Sequence, residues 1–166
     1  VYGGFAGTEN SLLERDPNIN VTILSGDIDG NDTAACETPS GGEHIKGSNS
    51  VHVLTGSGTD NDTLLDGFTI TGGHARDVTG SQSQHGGGLF MEQGSPTLAN
   101  LIFCGNKANG SGGGIFNDAG SPTLQNVTFV NNEANMASGY GGGMANVNGS
   151  SPTLQDVDFN RNQAYY

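Results

Sequence analysis

The chain has no tryptophan, only two cysteines and only five lysine and arginine residues among 166. It also has no run of 18 apolar residues. Each shortage excludes something. Without such a run no transmembrane helix is expected, and membrane insertion by this segment is not expected. With five cations against 17 acidic residues, a net charge of −12 repels nucleic-acid phosphate and anionic lipid, and neither is expected as a partner. Two cysteines make no disulfide framework. Cys36 and Cys104 suit one bridge in an oxidising compartment and equally two separate thiols. No CxxC or Cys/His cluster points to zinc. Sugar platforms usually present Trp or Tyr. Here four tyrosines stand alone, with Tyr140 in a corner insertion and Tyr165 and Tyr166 at the extreme end. Leu, Ile, Val and Phe together make 34 residues, near the limit below which chains stop burying a core. A conventional core of mixed helices is not expected.

Glycine and acidity are abundant instead. Glycine supplies 29 residues, well above the usual share of about 7%. An acidic extracellular chain attracts cations, and calcium is the natural one. Neither a secretion signal nor a starting Met is present, as in a mature chain or a fragment.

The dominant feature is a repeat. GGGLFMEQGSPTLANLIFCGNKA runs from Gly86 to Ala108, GGGIFNDAGSPTLQNVTFVNNEA from Gly112 to Ala134, and GGGMANVNGSSPTLQDVDFNRNQA from Gly141 to Ala164. Ser95, Ser121 and Ser151 open the SPTL blocks at spacings of 26 and 30. A weaker copy, LLDGFTITGGHA, puts Leu65, Phe68, Ile70, Gly73 and Ala75 at the offsets of Leu98, Leu101, Phe103, Asn106 and Ala108. Extra residues collect mainly at one corner of the unit, 76–85 in one copy and 135–140 in another. Periods of this size indicate stacked supersecondary units.

Gly-Gly-Gly and Ser-Pro exclude a continuous helix, and Val127-Thr128-Phe129 alternates with strand periodicity. One coil of short strands cannot bury its own apolar side chains, but stacked coils can. The expected ladders are Leu98-Leu124-Leu154, Ile70-Phe103-Phe129-Phe159, Ala75-Ala108-Ala134-Ala164 and, at a turn, Asn106-Asn132-Asn162. Asn tolerates left-handed backbone, and stacked amides hydrogen-bond along the axis. The chain is therefore expected to be all-β, a parallel β-helix (solenoid) of about six coils, with neighbouring strands about 4.8 Å apart. It reads as one domain over 1–166, irregular over 1–62 with an excursion near 26–50, and regular over 63–166.

FxxN occurs at Phe103-Asn106, Phe129-Asn132 and Phe159-Asn162, and GGG followed by Leu89, Ile115 or Met144 forms a second short motif. These units resemble the repeats of the chlamydial polymorphic outer-membrane proteins, with their FxxN and GG-aliphatic motifs. VYGGFAGTE followed by ERDPNINVTILSGDIDGND resembles the opening of large secreted bacterial β-helix proteins. The resemblance implies a right-handed parallel β-helix, on the cell surface or outside the cell. For the chlamydial relatives it implies adhesion. It implies no catalytic residue.

Within the excursion, GDIDGND offers oxygen ligands from Asp27, Asp29, Asn31 and Asp32, with Gly30 at a bend. Calcium takes six to eight oxygens from such loops; the same residues also make a solvated turn. An Asp60-Asn61-Asp62 turn is a weaker instance. His44, His52 and His74 show no ligand spacing.

An enzyme reading is the alternative: polysaccharide binding or lyase-like cleavage. It would place Arg76, Asp77 and His85 together in the longest corner insertion, or use Glu92 and Asp118 as paired carboxylates on neighbouring coils. Fold alone does not give function. The preferred expectation is an extracellular or cell-surface β-helix without catalysis, structural or adhesive. Arg76, Asp77, His85 and Tyr140 would face a glycan or other surface ligand. Both end coils would leave strand edges open. Subunits stacking end to end into a filament, or further coils of the same protein, would cover them.

Overall fold

The computed structural model describes residues 1–33, 36, 44–76, 81–135 and 139–165, with the backbone alone at 81 and 82. Strands β1 (Ile23–Ser25), β2 (Leu54–Thr55), β3 (Leu64–Asp66), β4 (Thr69–Thr71) and β5 (His74–Ala75) come first. The repeats then supply β6 (Leu89–Glu92), β7 (Thr97–Cys104), β8 (Lys107–Ala108), β9 (Ile115–Asp118), β10 (Thr123–Val130), β11 (Glu133–Ala134), β12 (Met144–Val147), β13 (Thr153–Asn160) and β14 (Gln163–Ala164). Two 3-10 turns, Leu12–Glu14 and Ser81–Gln84, are the helical elements among the described residues. None of the described helices is long and apolar enough to cross a membrane.

Among the described residues all strand pairs are parallel and form three sheets. The first runs β1-β4-β7-β10-β13 with β3 also on β7, the second β5-β8-β11-β14, and the third β2-β6-β9-β12. The chain visits the sheets in that rotation, and the result is a right-handed parallel β-helix, the hand that parallel crossovers favour. From β4 to β13 there are three regular turns, preceded by one irregular coil that carries β1 and β2. This corrects the expectation of about six coils. The reason is that residues 4–21 leave the wall in addition to the expected excursion after Gly26, so the first third of the chain contributes a single coil.

Like residues stack. Leu124 pairs with Leu98 and Leu154, and Phe129 with Phe103 and Phe159. Ile70 sits under Phe103, and Ala75, Ala108, Ala134 and Ala164 are in register. The phenyl rings stack at 5.2 Å between Phe103 and Phe129 and 4.7 Å between Phe129 and Phe159. Ile70, Phe103, Ile115, Leu124 and Phe129 are fully buried, whereas Leu154 and Phe159 in the last described coil are about half exposed. The apolar interior is thin, and a one-residue register slip would turn every core side chain outward.

Each eight-residue strand bends at one left-handed residue, Asn100, Asn126 or Asp156, with φ of 50°, 53° and 53°. Gly67, φ 85°, holds the same place between β3 and β4. The bend lets Leu98 and Leu101, three apart, both point inward. Outside it the amides connect: Asn126 Nδ2 donates to Asn100 Oδ1 and Asn100 Nδ2 to Asp66 Oδ1, both at 2.8 Å.

The inner amide ladder lies at the corner between the first and second sheets. Asn106 Nδ2 donates to Ile70 O at 2.9 Å and to Asn132 Oδ1 at 3.0 Å. Asn132 Nδ2 donates to Phe103 O at 2.8 Å and to Asn162 Oδ1 at 2.9 Å. Asn162 Nδ2 reaches Phe129 O at 2.8 Å. Carbonyls near the ends of β4, β7 and β10 thus receive side-chain donors from within the corner.

The glycine triplets let the coils approach at the opposite corner. A Cβ at Gly113 would lie 2.5 Å from Glu133 O and 2.6 Å from Gly142 O. One at Gly114 would meet Gly143 O and lie 2.9 Å from Phe129 Cδ1. These distances are below any van der Waals contact, so the second and third residues of the triplet must be glycine.

Two excursions decorate the first coil. Residues 1–3 pair with β3, as Gly3 N donates to Asp66 O at 2.8 Å, and Thr22 resumes the wall by accepting from Thr69 N at 2.9 Å. Between them, residues 4–21 are tied back by Arg15. Its Nη2 lies 2.5 Å from Asp66 Oδ2 and its Nη1 donates to Gly3 O at 3.1 Å. The Glu9 carboxylate accepts the N–H groups of Ala6, Gly7 and Thr8, and these bonds, that of Ala6 first, hold its carboxyl below the usual range.

The second excursion leaves at Gly26 and returns at Ser50, closed by an antiparallel bridge between Asp27 and Asn49. A disulfide joins Cys36 to Cys104, 68 residues on, with Cα atoms 5.3 Å apart. Of the two arrangements open to the cysteines, the structure has the bridge. Reducing it is expected to cost about 2–4 kcal/mol and to speed amide exchange at Ile28 and Thr33. The Glu133 and Gln163 amides should be unaffected. Hydrogen exchange with and without reductant tests this. Equal loss of protection in every coil would mean that the bridge holds the solenoid itself.

Candidate functional site

The described ends of the corner insertions, at Gln84-His85 and Tyr140, meet beside the outer face of the third sheet. Along that face the outward side chains of β6 and β9 are Phe90 with Glu92, and Phe116 with Asp118, in register. Phe90 and Phe116 stack at 5.7 Å. His52 from the first coil packs on Phe90 at 5.2 Å, and His85 packs on Phe116 at 4.5 Å with the rings inclined by 26°. An outer aromatic row His52-Phe90-Phe116-His85 results, with both phenyl groups buried.

Ser111 is the centre of the corner. Its N–H donates to His85 Nδ1 at 2.9 Å, its carbonyl accepts from Gly86 N at 3.0 Å, and its Oγ accepts from Tyr140 N at 3.0 Å. On either side, Gly110 N donates to Gln84 O at 2.7 Å and Gly112 N to Tyr140 O at 2.9 Å. Three successive coils are thereby laid edge to edge. The structure thus brings His85 and Tyr140, from separate insertions, onto one residue. The Tyr140 side chain is exposed. Arg76 follows β5 at the start of its insertion, and its charge acts on His74. Asp77 lies outside the described residues.

The two outer histidines have opposite hydrogen-bond roles. A carbonyl only accepts, so His52 Nδ1, 2.9 Å from Gly86 O, carries a proton. A backbone amide only donates, so His85 Nδ1 carries none. Burial pushes the His85 pKa below its ordinary value, opposed by the Asp118 carboxylate and reinforced by His52. Asp118 is itself bonded by Asn148 Nδ2 at 2.7 Å.

A second cluster lies on the outer face of the second sheet. Lys107 and Glu133 are register partners, and their side chains form an ion pair at 2.8 Å with Glu133 nearly buried. His74 is the partner of Lys107 on the coil below. His44 is buried in the neck of the second excursion, where Thr33 N donates to its carbonyl at 3.1 Å. Burial lowers the pKa of both. At His44 Glu133 opposes the shift, and at His74 Lys107 and Arg76 add to it.

The candidate calcium residues sit together at the base of that excursion. Asp27 accepts the N–H groups of Gly30, Asn31 and Asp32 at 2.9, 3.3 and 3.0 Å. Desolvation opposes them, yet these donors hold its carboxyl below the usual range. Asp29 Oδ2 accepts from Ser48 N at 3.0 Å. Asp32 accepts from Lys46 N at 2.6 Å and from Asn49 Nδ2 at 2.7 Å. The Asn31 side chain lies beside Gly47. The carboxylates pin the returning limb 46–49 to the outgoing one. Among the described residues no three His, Cys, Asp or Glu side chains gather in a metal-holding group.

A shallow groove of about 130 Å³ on the outer face of the first sheet is walled by Pro17, Asn18 and Thr22 and floored by Asn100, Ile102, Asn126 and Thr128. Its floor is the outer amide row, which sequence reasoning did not single out. The signal was available: Gly67, Asn100, Asn126 and Asp156 share one offset, and Gly, Asn and Asp are the residues that share left-handed backbone. The Lys107–Glu133 pair was legible in the same way, as opposite charges at one offset on adjacent coils.

Comparison with protein-family models, with curated proteins and with solved structures finds no match to this chain.

Proposed function

We propose that this chain is an extracellular or cell-surface β-helix without catalysis, a spacer whose corner ledge of His85, Ser111 and Tyr140 meets a surface ligand such as a glycan. One observation carries the reading: six of the carboxylates, Asp118 of the candidate pair among them, are engaged in holding the coils and excursions together. Asp66 holds Arg15, Glu133 holds Lys107, Asp118 holds Asn148, and Asp27, Asp29 and Asp32 hold backbone N–H groups. The disulfide supports the location, since such bridges persist in oxidising compartments. Leu154 and Phe159 continue the ladders to an open face, and another coil, of this protein or of a second copy, would cover it.

The test pairs binding with turnover. The purified chain is screened on a glycan array and incubated with an acidic and neutral polysaccharide panel, and the preparation is imaged by electron microscopy. Expected are rods and glycan binding weakened at least about tenfold by Tyr140→Ala, with no new reducing ends or unsaturated sugars. Polysaccharide cleavage that Arg76→Ala or His85→Ala abolishes would overturn the reading in favour of an enzyme. Binding to no surface glycan, with turnover absent too, would leave the spacer role and remove the adhesive one.

A further inference from the structure

We propose that His85 is an acid-released latch, which holds the turn Ser81–Gln84 against Gly110–Ser111 while its imidazole is neutral and lets go when it is protonated. The inference stands on the corner geometry, whichever ligand the ledge takes.

The decisive atom is His85 Nδ1. It accepts the Ser111 N–H at 2.9 Å, and a backbone amide has no acceptor role to offer in exchange. When Nδ1 takes up a proton, two N–H groups face each other. The bond is lost, and the Ser111 N–H must find water. The imidazole cannot stay in place and wait. The ring packs so closely on Gly110 that a Cβ there would lie 2.5 Å from Nδ1, and its other side is stacked on Phe116. A charged ring in this slot is partly desolvated and faces an N–H donor, so it moves outward and carries Gln84 with it. The Gln84 O to Gly110 N bond, 2.7 Å, goes at the same time.

His52 gives the contrast within the molecule. Its Nδ1 donates to Gly86 O, a bond that survives protonation. The groups that act on His85 are Asp118 at the end of β9 and His52 from the coil below, with Glu92 the register partner of Asp118 on β6. Asp118 favours the proton, but Asn148 already occupies one of its oxygens. Burial and His52 oppose the proton. The sign follows. A group whose folded value is lowered contributes stability in full above the ordinary histidine pKa of about 6.5. That contribution is lost as pH falls from there through the lowered folded value. Neutral solution therefore closes the latch and mild acid opens it. Ser111 also accepts from Tyr140 N, so release on one insertion loosens the anchor of the other.

The test reads the latch directly. Histidine ring resonances and the exchange protection of the Ser111 amide are followed by NMR from pH 7.5 to 4.5 in the full chain, with the Ile115 amide, bonded to Gly143 O at 2.9 Å, as the control. Protection at Ser111 is expected to fall about tenfold, one hydrogen bond's worth, in step with His85 protonation while Ile115 is unchanged. His85→Gln keeps an acceptor that does not titrate, so Ser111 stays protected at both ends of the range. His85→Phe keeps the stack without an acceptor and is unprotected throughout. Should His85→Phe fail to fold, the wild-type titration and His85→Gln decide alone. A Ser111 amide that stays protected while His85 becomes charged overturns the latch. So does an equal acid loss of protection in His85→Gln, which would assign the change to His44 or His74.

Discussion

Asn132→Ala is expected to destabilise the chain by about 3–5 kcal/mol, far more than its modest volume suggests. The Asn132 side chain is fully buried and takes part in four hydrogen bonds. It donates to Phe103 O and Asn162 Oδ1 and accepts from Asn106 N and Asn106 Nδ2. Truncation leaves the Phe103 carbonyl and the Asn106 N–H without these partners in a corner that water does not reach. Each orphaned group costs about 1–3 kcal/mol, and the cavity adds to it. Asn162→Ala, on the half-exposed last coil, should cost less, because solvent replaces the lost partners. Asn132→Asp separates charge from shape. At neutral pH an ionised carboxylate faces the Phe103 carbonyl with no proton to donate, and the loss exceeds that of alanine. In acid the protonated carboxyl donates again, so the deficit of Asn132→Asp narrows as pH falls. Urea denaturation of the variants at pH 7 and pH 4.5 checks both statements. Equal costs at Asn132 and Asn162 would show that the amides are exposed in solution and that the ladder is not what holds the corner.

How far such a structure is legible depends on whether a residue's role repeats. Leu124, Phe129 and Asn132 each have a copy 26 residues earlier and another 30 residues later. Aligning the copies therefore also fixes which residue lies over which, and the strand pairs follow that alignment. The first coil has no such copy to align. Its register rests on short matches, Tyr2 to Asp66 and Ile23 to Thr69, interrupted by the excursion 4–21 that nothing in the spacing announces. The spacing therefore overstates the number of coils, because residues 4–21 read as wall and lie outside it. The candidate sites divide the same way. The insertion corner shows itself as a place where length varies. The role of His85 does not, because it depends on one amide of the next coil, Ser111, whose position only the stacked backbone reveals.

Phe129→Ala is expected to cost about 3–5 kcal/mol, the usual range for a buried phenylalanine. Phe159→Ala should cost roughly half as much or less, although the two share sequence, strand and offset. Phe129 is fully buried between Phe103 and Phe159, while Phe159 is about half exposed. Removing Phe129 also removes two ring contacts, each worth about 0.5–1.5 kcal/mol, where removing Phe159 takes one. The loss has a second consequence in a solenoid. Stability there is close to a sum of coil terms and nearest-neighbour terms, and Phe129 belongs to the interface on both of its sides. Weakening both uncouples the last coil from those before it, so unfolding of Phe129→Ala should become less cooperative, with a lower urea m-value, while Phe159→Ala keeps the parent slope. Chemical denaturation followed by circular dichroism gives both numbers. If Phe159→Ala proves as costly as Phe129→Ala, then the last coil is covered in solution, and the open face that carries Leu154 and Phe159 is an interface with another coil.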